Sequence, residues 1–288
     1  MKYALIKENA HLWPIETQCR VYGVSSNGYR SWRDKKPSKR ALENQKLDTK
    51  IQGIYDDHKG RYGAPRITDE LNDQGLKVNK KRVANRMKVL NLKGKQARKF
   101  KVTTDSNHQS PIADNLLNQD FTATDINQKW AGDITYVWTK SGWLYLAVII
   151  DLFSRQVIGW SLSNRINKEL VCNALQMALW RRGFPKGVIV HTDRGSQYCS
   201  KKYQKLLKDN QLICSMSGKG CCYDNAVSET FFHTLKVECL FDYCFTTRED
   251  AKQTIFEYIE VYYNRKRKHS TIGYKTPAQY ELLNRKAS

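Results

Sequence analysis

The sequence predicts an α/β protein: a mixed five-stranded sheet with flanking helices, preceded by a small all-α, strongly basic helix-turn-helix region. Three observations carry this. Period-2 alternation and short apolar runs are sparse before Trp130 and frequent after it. From Trp130 the elements run in the order βββαβαβα. The 288 residues give room for roughly two domains of 100–200 residues each.

The first region, 1–101, reads as short helices punctuated by glycine. Pro14 to Tyr22 is one, Gly23 a turn, and Ser25 the N-cap of "SNGYRSW". A clearer pair follows at about 62–92. Pro65 suits a first helical turn, Ile67 and Leu71 share a face, Gly75 breaks the helix, and Asn79 caps the next one. That second helix buries Val83, Met87 and Leu90. It projects Lys80, Lys81, Arg82, Arg86 and Lys88, which are candidates for DNA contact if the helix enters a major groove. A helical hairpin with a solvated basic face has the same pattern. The setting favours DNA: from Gly75 to Val102 there are eleven Lys or Arg and no acid, within a chain of formal charge +21.

Residues 102–128 lose charge bias and periodicity and read as a linker. The core is expected over 129–245. "WAGDITYVW", "WLYLAVIID" and "QVIGWSLS" form three antiparallel strands with short connections. "KELVCNALQMALWRRG" is a helix, "GVIVHTD" a buried strand, "SKKYQKLLKDN" a helix, "LICSMS" a strand, and "GKGCCYDNAVSETFFHTLK" a glycine loop leading into a helix. Three antiparallel strands continued by parallel ones make a ribonuclease-H-like sheet. The last segment, 246–288, holds an amphipathic helix with Ile255, Tyr258, Ile259 and Tyr262 in phase, then the basic run "NRKRKH" with Arg265 and Arg267 as further DNA candidates.

Three acids stand out by position. Asp133 lies inside the first strand, where a carboxylate costs free energy unless it is paired or metal-bound. Asp193 ends the "VIVHTD" strand, at the carboxyl edge where α/β sheets place ligands. Glu229 lies on the helix after the glycine loop, with His233 and Lys236 along the same side, Lys236 about 10 Å further along the axis. Taken singly, Asp193 also fits a turn former, and Glu229 a solvated residue paired with His233. Asp151 reads as part of a plain hairpin turn. If the first and fourth strands are neighbours, the two aspartates lie side by side and the helix brings the third acid across them. Phosphodiester chemistry uses such a set to hold two hard cations roughly 3.5–4 Å apart.

The motifs "WAGDITYV", "HTDRGSQY", "GKGCCYDNAVSETFFHTLK" and "YNRKRKHSTIGYKTPAQYE" resemble the DDE transposases of bacterial insertion sequences, of the second-reading-frame (OrfB) type and related to retroviral integrases. Thirty-five residues separate Asp193 from Glu229, a spacing shared with that family. "VYGVSSNGYRSW" and "YGAPRITDELNDQGLKVNKKRV" extend the likeness to nearly the whole chain. The resemblance implies an integrase catalytic core in which Asp133, Asp193 and Glu229 bind two Mg²⁺ ions, with Mn²⁺ as a substitute. It implies that Lys236 contacts double-stranded DNA near the active site; Asn225 and His233 are auxiliary polar candidates, with a packed histidine an equal reading of His233. It further implies strand cleavage and strand transfer, a homo-oligomer on DNA, and partnership or fusion by frameshifting with an upstream frame (OrfA). Ile126, where the family often has Pro, and Cys221, where a polar residue is usual, depart from the pattern without touching the acids.

Other classes fit less well. Eight cysteines contain no C-x-x-C pair and read as free thiols of a reducing compartment. The longest apolar run, "WLYLAVII", is too short to span a bilayer, so a soluble, cytoplasmic protein is expected, and the resemblance implies a bacterial, nucleoid-associated one. A ribonuclease-H-type nuclease without strand transfer and a helix-turn-helix regulator are the alternatives. The regulator has no need of three acids. Gly218 and Gly220 are expected to hinge a loop that orders on DNA.

Overall fold

The computed structural model describes residues 1–95, 113–218 and 222–284. The chain forms two units, Met1–Lys93 and Gly94–Ser288. In the first, α1 (Lys2–Glu8), α2 (Ile15–Val21) and α3 (Ser26–Arg33) close around Ile6, Cys19 and Tyr29. Gly23 takes φ +62°, and the Ser25 hydroxyl accepts the Gly28 N–H at 2.9 Å, as a turn followed by a capped helix requires.

A second group joins α4 (Lys39–Asp57), α5 (Ala64–Asp73) and α6 (Lys80–Val89). Leu47, Ile51 and Ile54 of α4 are buried together with Ile67 and Leu71 of α5 and Val83 and Met87 of α6. Pro65 stands in the first turn of α5, and Asn79 caps α6 by accepting the Arg82 N–H at 2.7 Å. The helix pair is therefore as expected, except that Leu90 sits half-buried at the end of α6. The 19-residue α4 that supports the pair was not anticipated.

The second unit is built on β1 (Lys129–Thr139), β2 (Gly142–Asp151), β3 (Val157–Ser163), β4 (Ile189–Thr192) and β5 (Ile213–Met216), in the spatial order β3-β2-β1-β4-β5. β1–β2 and β2–β3 are antiparallel, and β1–β4 and β4–β5 are parallel. The crossovers run through α7 (Lys168–Arg182) and α8 (Lys201–Asp209). α7 buries Leu170, Ala174, Leu175, Ala178 and Leu179 against Trp130, Ala147, Ile149 and Ile158. Gly159 permits this approach: a methyl group there would collide with the Ala174 carbonyl and with Ala178. The opposite face carries Ala131 and Leu152 under Leu117 and Val227, the latter from α9 (Ala226–Leu235).

The segment expected as a linker is part of the core from residue 113 onward. Leu117 is buried, Leu116 N–H donates to Ser215 Oγ at 2.9 Å, and Asn115 and Gln119 donate to Asp224 at 2.9 and 3.1 Å. These long-range bonds leave no trace in local periodicity. Residues 102–112 lie outside the described residues.

After α10 (Arg248–Phe256) the helix continues in π geometry over Glu257–Tyr263, burying Ile255, Tyr258, Ile259 and Tyr262. The segment then clamps the sheet. Asn264 exchanges two 3.0 Å bonds with the Val157 backbone, completing the edge of β3. Glu281 of α11 (Pro277–Asn284) accepts Arg182 Nη1 at 2.8 Å and the Ser154 hydroxyl at 2.5 Å. Asp151, wholly buried, accepts the Asn127 and Phe153 N–H groups beside Arg182. It is thus an anchored corner beyond a simple hairpin turn.

Candidate active site

The parallel register of β1 and β4 pairs Trp130 with Val190 and Ala131 with His191. Carried two residues on, it sets Asp133 opposite Asp193. Neighbouring strands lie roughly 4.8 Å apart, so the two aspartates stand side by side. Alternation along β1 puts Asp133 on the face of Ala131, which α9 covers through Val227. α9 is the helix that carries Glu229 in its first turn.

Two contacts set the backbone around the acids. Asp193 accepts the Gly195 N–H at 2.9 Å, making a tight turn directly after β4. Asn225, buried at the start of α9, donates to the Gly132 carbonyl at 3.4 Å. It ties the helix that bears Glu229 to the strand residue beside Asp133. Its Oδ1 has no partner among the described residues. Below the glycine loop, Asp224 also accepts the Gly218 N–H at 2.7 Å. Lys219, Gly220 and Cys221, and with them the hinge reading and the Cys221 departure, lie outside the described residues.

The electrostatics match the placement. Burial, then the charge of Asp193 and that of Glu229, push the Asp133 carboxyl well above the usual carboxylate range, while Lys236 and the Ile134 N–H oppose this only in part. Partial burial raises Glu229, which remains exposed. Burial lowers Lys236 while Asp133 draws it upward. Lys236 stands where α9 passes into a π-helical turn, Lys236–Leu240, and its ammonium lies 5.3 Å from the centre of the Tyr136 ring. His233 is exposed, not packed.

Tyr198 was missed by sequence reasoning. It is buried, its hydroxyl has no partner among the described residues, and burial with the charges of Asp133 and Asp193 raises it well above the ordinary tyrosine range. A tyrosine five residues past Asp193 carries no local signal, because its nearness to Asp133 comes from the pairing of β1 with β4.

The DNA candidates divide. Lys80, Lys81 and Lys88 are exposed on α6. Arg82 is exposed but donates to Asn44 at 3.1 Å, and Arg86 forms a two-point pair with Asp48 at 2.7 and 2.5 Å. Arg86 therefore braces α6 on α4. Arg265 is exposed, whereas Arg267 is 4 % exposed and donates to Glu238 at 2.8, 2.9 and 3.0 Å. Arg267 is withdrawn as a DNA contact: its guanidinium is consumed in a buried ion pair. Lys268 is likewise buried, so the run "NRKRKH" is in large part structural.

Comparison with known proteins agrees with this fold. Residues 123–222 and 229–284 each match a family model described as an integrase core domain, and residues 41–100 match an HTH-like domain. The fold is that of an integrase-core polynucleotidyl transferase. The chain is 51 % identical over 286 residues to the transposase InsF for insertion sequence IS3A of Escherichia coli K12, covering 99 % of both chains. It is 45 % identical over 262 residues to an uncharacterized 31 kDa protein of insertion element IS600 from Shigella sonnei, covering 91 % of this chain and 96 % of that one. Among solved structures, the simian T-cell lymphotropic virus intasome aligns at TM-score 0.47 and 18 % identity, over 74 % of this chain and 70 % of that one. The magnesium-bound HTLV-2 integrase catalytic core aligns at TM-score 0.41 and 19 % identity, over 55 % of this chain and 98 % of that one. The chain belongs to the OrfB-type DDE transposase family of insertion sequences, together with InsF of IS3.

Proposed function

We propose that Asp133, Asp193 and Glu229 form the reaction centre for cleaving and joining the DNA ends of an insertion sequence. The observation that carries this reading is the β1–β4 register, which sets Asp133 beside Asp193 beneath the helix bearing Glu229.

The donor set fits divalent cations. All three groups are carboxylates, the hard oxygen ligands that Mg²⁺ and Mn²⁺ take. The Asp133 carboxyl is raised first by burial and then by the charges of Asp193 and Glu229, which Lys236 opposes. Among the described residues no group of three or more His, Cys, Asp and Glu is gathered as a metal centre, and Glu229 is the exposed member. A cation held by the two aspartates would draw this exposed carboxylate toward them. Two cations held there would stabilise charge on the attacking and leaving oxygens of an in-line displacement.

The chain's own residues do the rest. Asp133 and Asp193 would hold the cations that position the scissile phosphate, and Asn225 keeps α9 tied to β1. Lys236 neutralises the DNA backbone beside the centre. In the first step a water oxygen bonds to phosphorus, the P–O3′ bond breaks, and a 3′-hydroxyl is freed. The oxygen of that hydroxyl then bonds to the phosphorus of a second phosphodiester, whose own P–O3′ bond breaks to release a new 3′-hydroxyl that takes up the proton, and one site serves both steps because both develop charge on the attacking and leaving oxygens. Lys80, Lys81, Lys88 and Arg265 add salt-sensitive backbone affinity. Two ends must meet, so the working form is at least a dimer on DNA. Pairing or fusion with an upstream-frame protein completes the reading, which places the protein with the bacterial nucleoid.

Labelled duplexes carrying the element's own inverted ends, incubated with Mg²⁺, test it. Joined products from the natural protein, absent from Asp193→Asn and Glu229→Gln, support the reading. Joining that survives either change defeats it, and cut but unjoined DNA would make the protein a nuclease.

A further inference from the structure

We infer that the outer end of the β1–β2 hairpin is an aromatic platform that stacks unpaired DNA bases beside the reaction centre. The inference rests on the DNA-processing reading above and goes beyond it in naming a ligand class and the residues that take it.

Trp138 and Trp143 are direct cross-strand partners, with Tyr136 diagonal to Trp143. The rings meet edge to face at 4.7 Å for Trp138–Trp143 and 5.2 Å for Tyr136–Trp143. Cross-strand aromatic pairs often serve only to stabilise a hairpin. Here, however, Trp138 is 58 %, Tyr136 44 % and Trp143 43 % exposed, whereas Trp130 on the same strand is wholly buried. Tyr145, opposite Tyr136, packs on the core beside α7, so the three exposed rings extend that face outward from it. Three large rings left in contact with one another and with water form a surface that calls for an occupant.

Charge and place identify that occupant. Asp133, three residues back along β1, faces the other side of the sheet, but Lys236 lies over the Tyr136 ring and also acts electrostatically on Asp133, so this one lysine links the platform to the acids. Arg248 lies against the hairpin tip and donates to the Trp143 carbonyl at 3.0 Å, and Lys140 is exposed at the same tip. Aromatic faces interleaved with cations are the arrangement that holds bases by stacking and phosphates by charge. A paired base offers no free face except at a duplex end. The ligand is therefore one or two bases unpaired where a strand is cut, and stacking them would keep the freed 3′-hydroxyl near the acids.

The test measures binding of the full chain to three duplexes of one sequence, in Mg²⁺-free buffer: fully paired, with the last two pairs mismatched, and with abasic residues at those two positions. The platform predicts that the natural protein binds the mismatched end about tenfold more tightly than the abasic end. Trp138→Ala and Trp143→Ala should bind both alike, and Trp138→Phe should keep part of the preference. Thermal melting confirms that each variant is folded. Asp193→Asn should keep the preference even where joining is lost, so failure of the catalytic reading and failure of the platform give different results. A natural protein indifferent to the bases, or a folded Trp138→Ala that still prefers them, overturns the platform. An unchanged base preference with a lower oligomeric state in Trp138→Ala would overturn it in favour of contact between copies.

Discussion

Among the carboxylates of the catalytic unit, buried Glu238 and half-buried Asp133 are accommodated in opposite ways. Glu238 is buried with Arg267, which donates to both of its oxygens, and with Tyr258, whose hydroxyl donates at 2.9 Å. Around Asp133 the nearest charges are two more carboxylates, and one lysine opposes them. The first is a closed ion pair that joins the π-helical turn after α9 to the C-terminal segment. The second leaves negative charge partly unmatched and stands open beside an exposed glutamate. Burial of an acid is therefore no mark of the proposed reaction centre; what sets that centre apart is that the acid's neighbours are other acids.

The comparison can be broken in several ways. The largest expected effect is on activity: Asp193→Asn should lower end joining by a factor on the order of a hundred or more, measured by product yield. The same change removes a like charge from Asp133, so the cation-free protein should melt at a higher temperature. A fall in melting temperature would mean that the acids are satisfied as they stand. Next is Arg267→Met, which strands the Glu238 carboxylate and should cost about 3–5 kcal/mol by denaturant unfolding. Adding Glu238→Gln should restore much of that loss. If Arg267→Met weakened DNA binding with stability intact, Arg267 would return to the list of DNA contacts.

Smaller effects sharpen the contrast further. Lys236→Ala should reduce joining about tenfold with little change in melting, and Lys236→Arg should recover part of it. Arg265→Ala should alter stability by less than about 0.5 kcal/mol and reduce the salt dependence of DNA binding by about one ion.

Much of this was legible in the chain. The apolar runs of β2 and the alternation of β1 and β3 identify the sheet, and Pro65 and Asn79 mark α5 and α6, because these signals are local. The acids could be proposed as a group since their element positions imply the β1–β4 pairing. Long-range pairing was not legible. Glu238 and Arg267 lie 29 residues apart, so a basic run that reads as a tail is in part an interior clamp. Asp48 and Arg86, 38 residues apart, hide in the same way. The α4 helix carried a local signal that the sequence reading left unused, since Leu47, Ile51 and Ile54 stand at i, i+4 and i+7 on one helical face. Tyr136, Trp138 and Trp143 read as ordinary strand residues, since exposure is a property of the fold alone.

The contrast between the two carboxylate sites is tested most directly by melting the protein across a Mg²⁺ titration, with Asp133→Asn in parallel. If the acids form a cation site, the natural protein's melting temperature rises with Mg²⁺ and saturates, and the rise is lost in Asp133→Asn. An unchanged melting temperature in the natural protein, or an equal rise in the variant, would contradict the account.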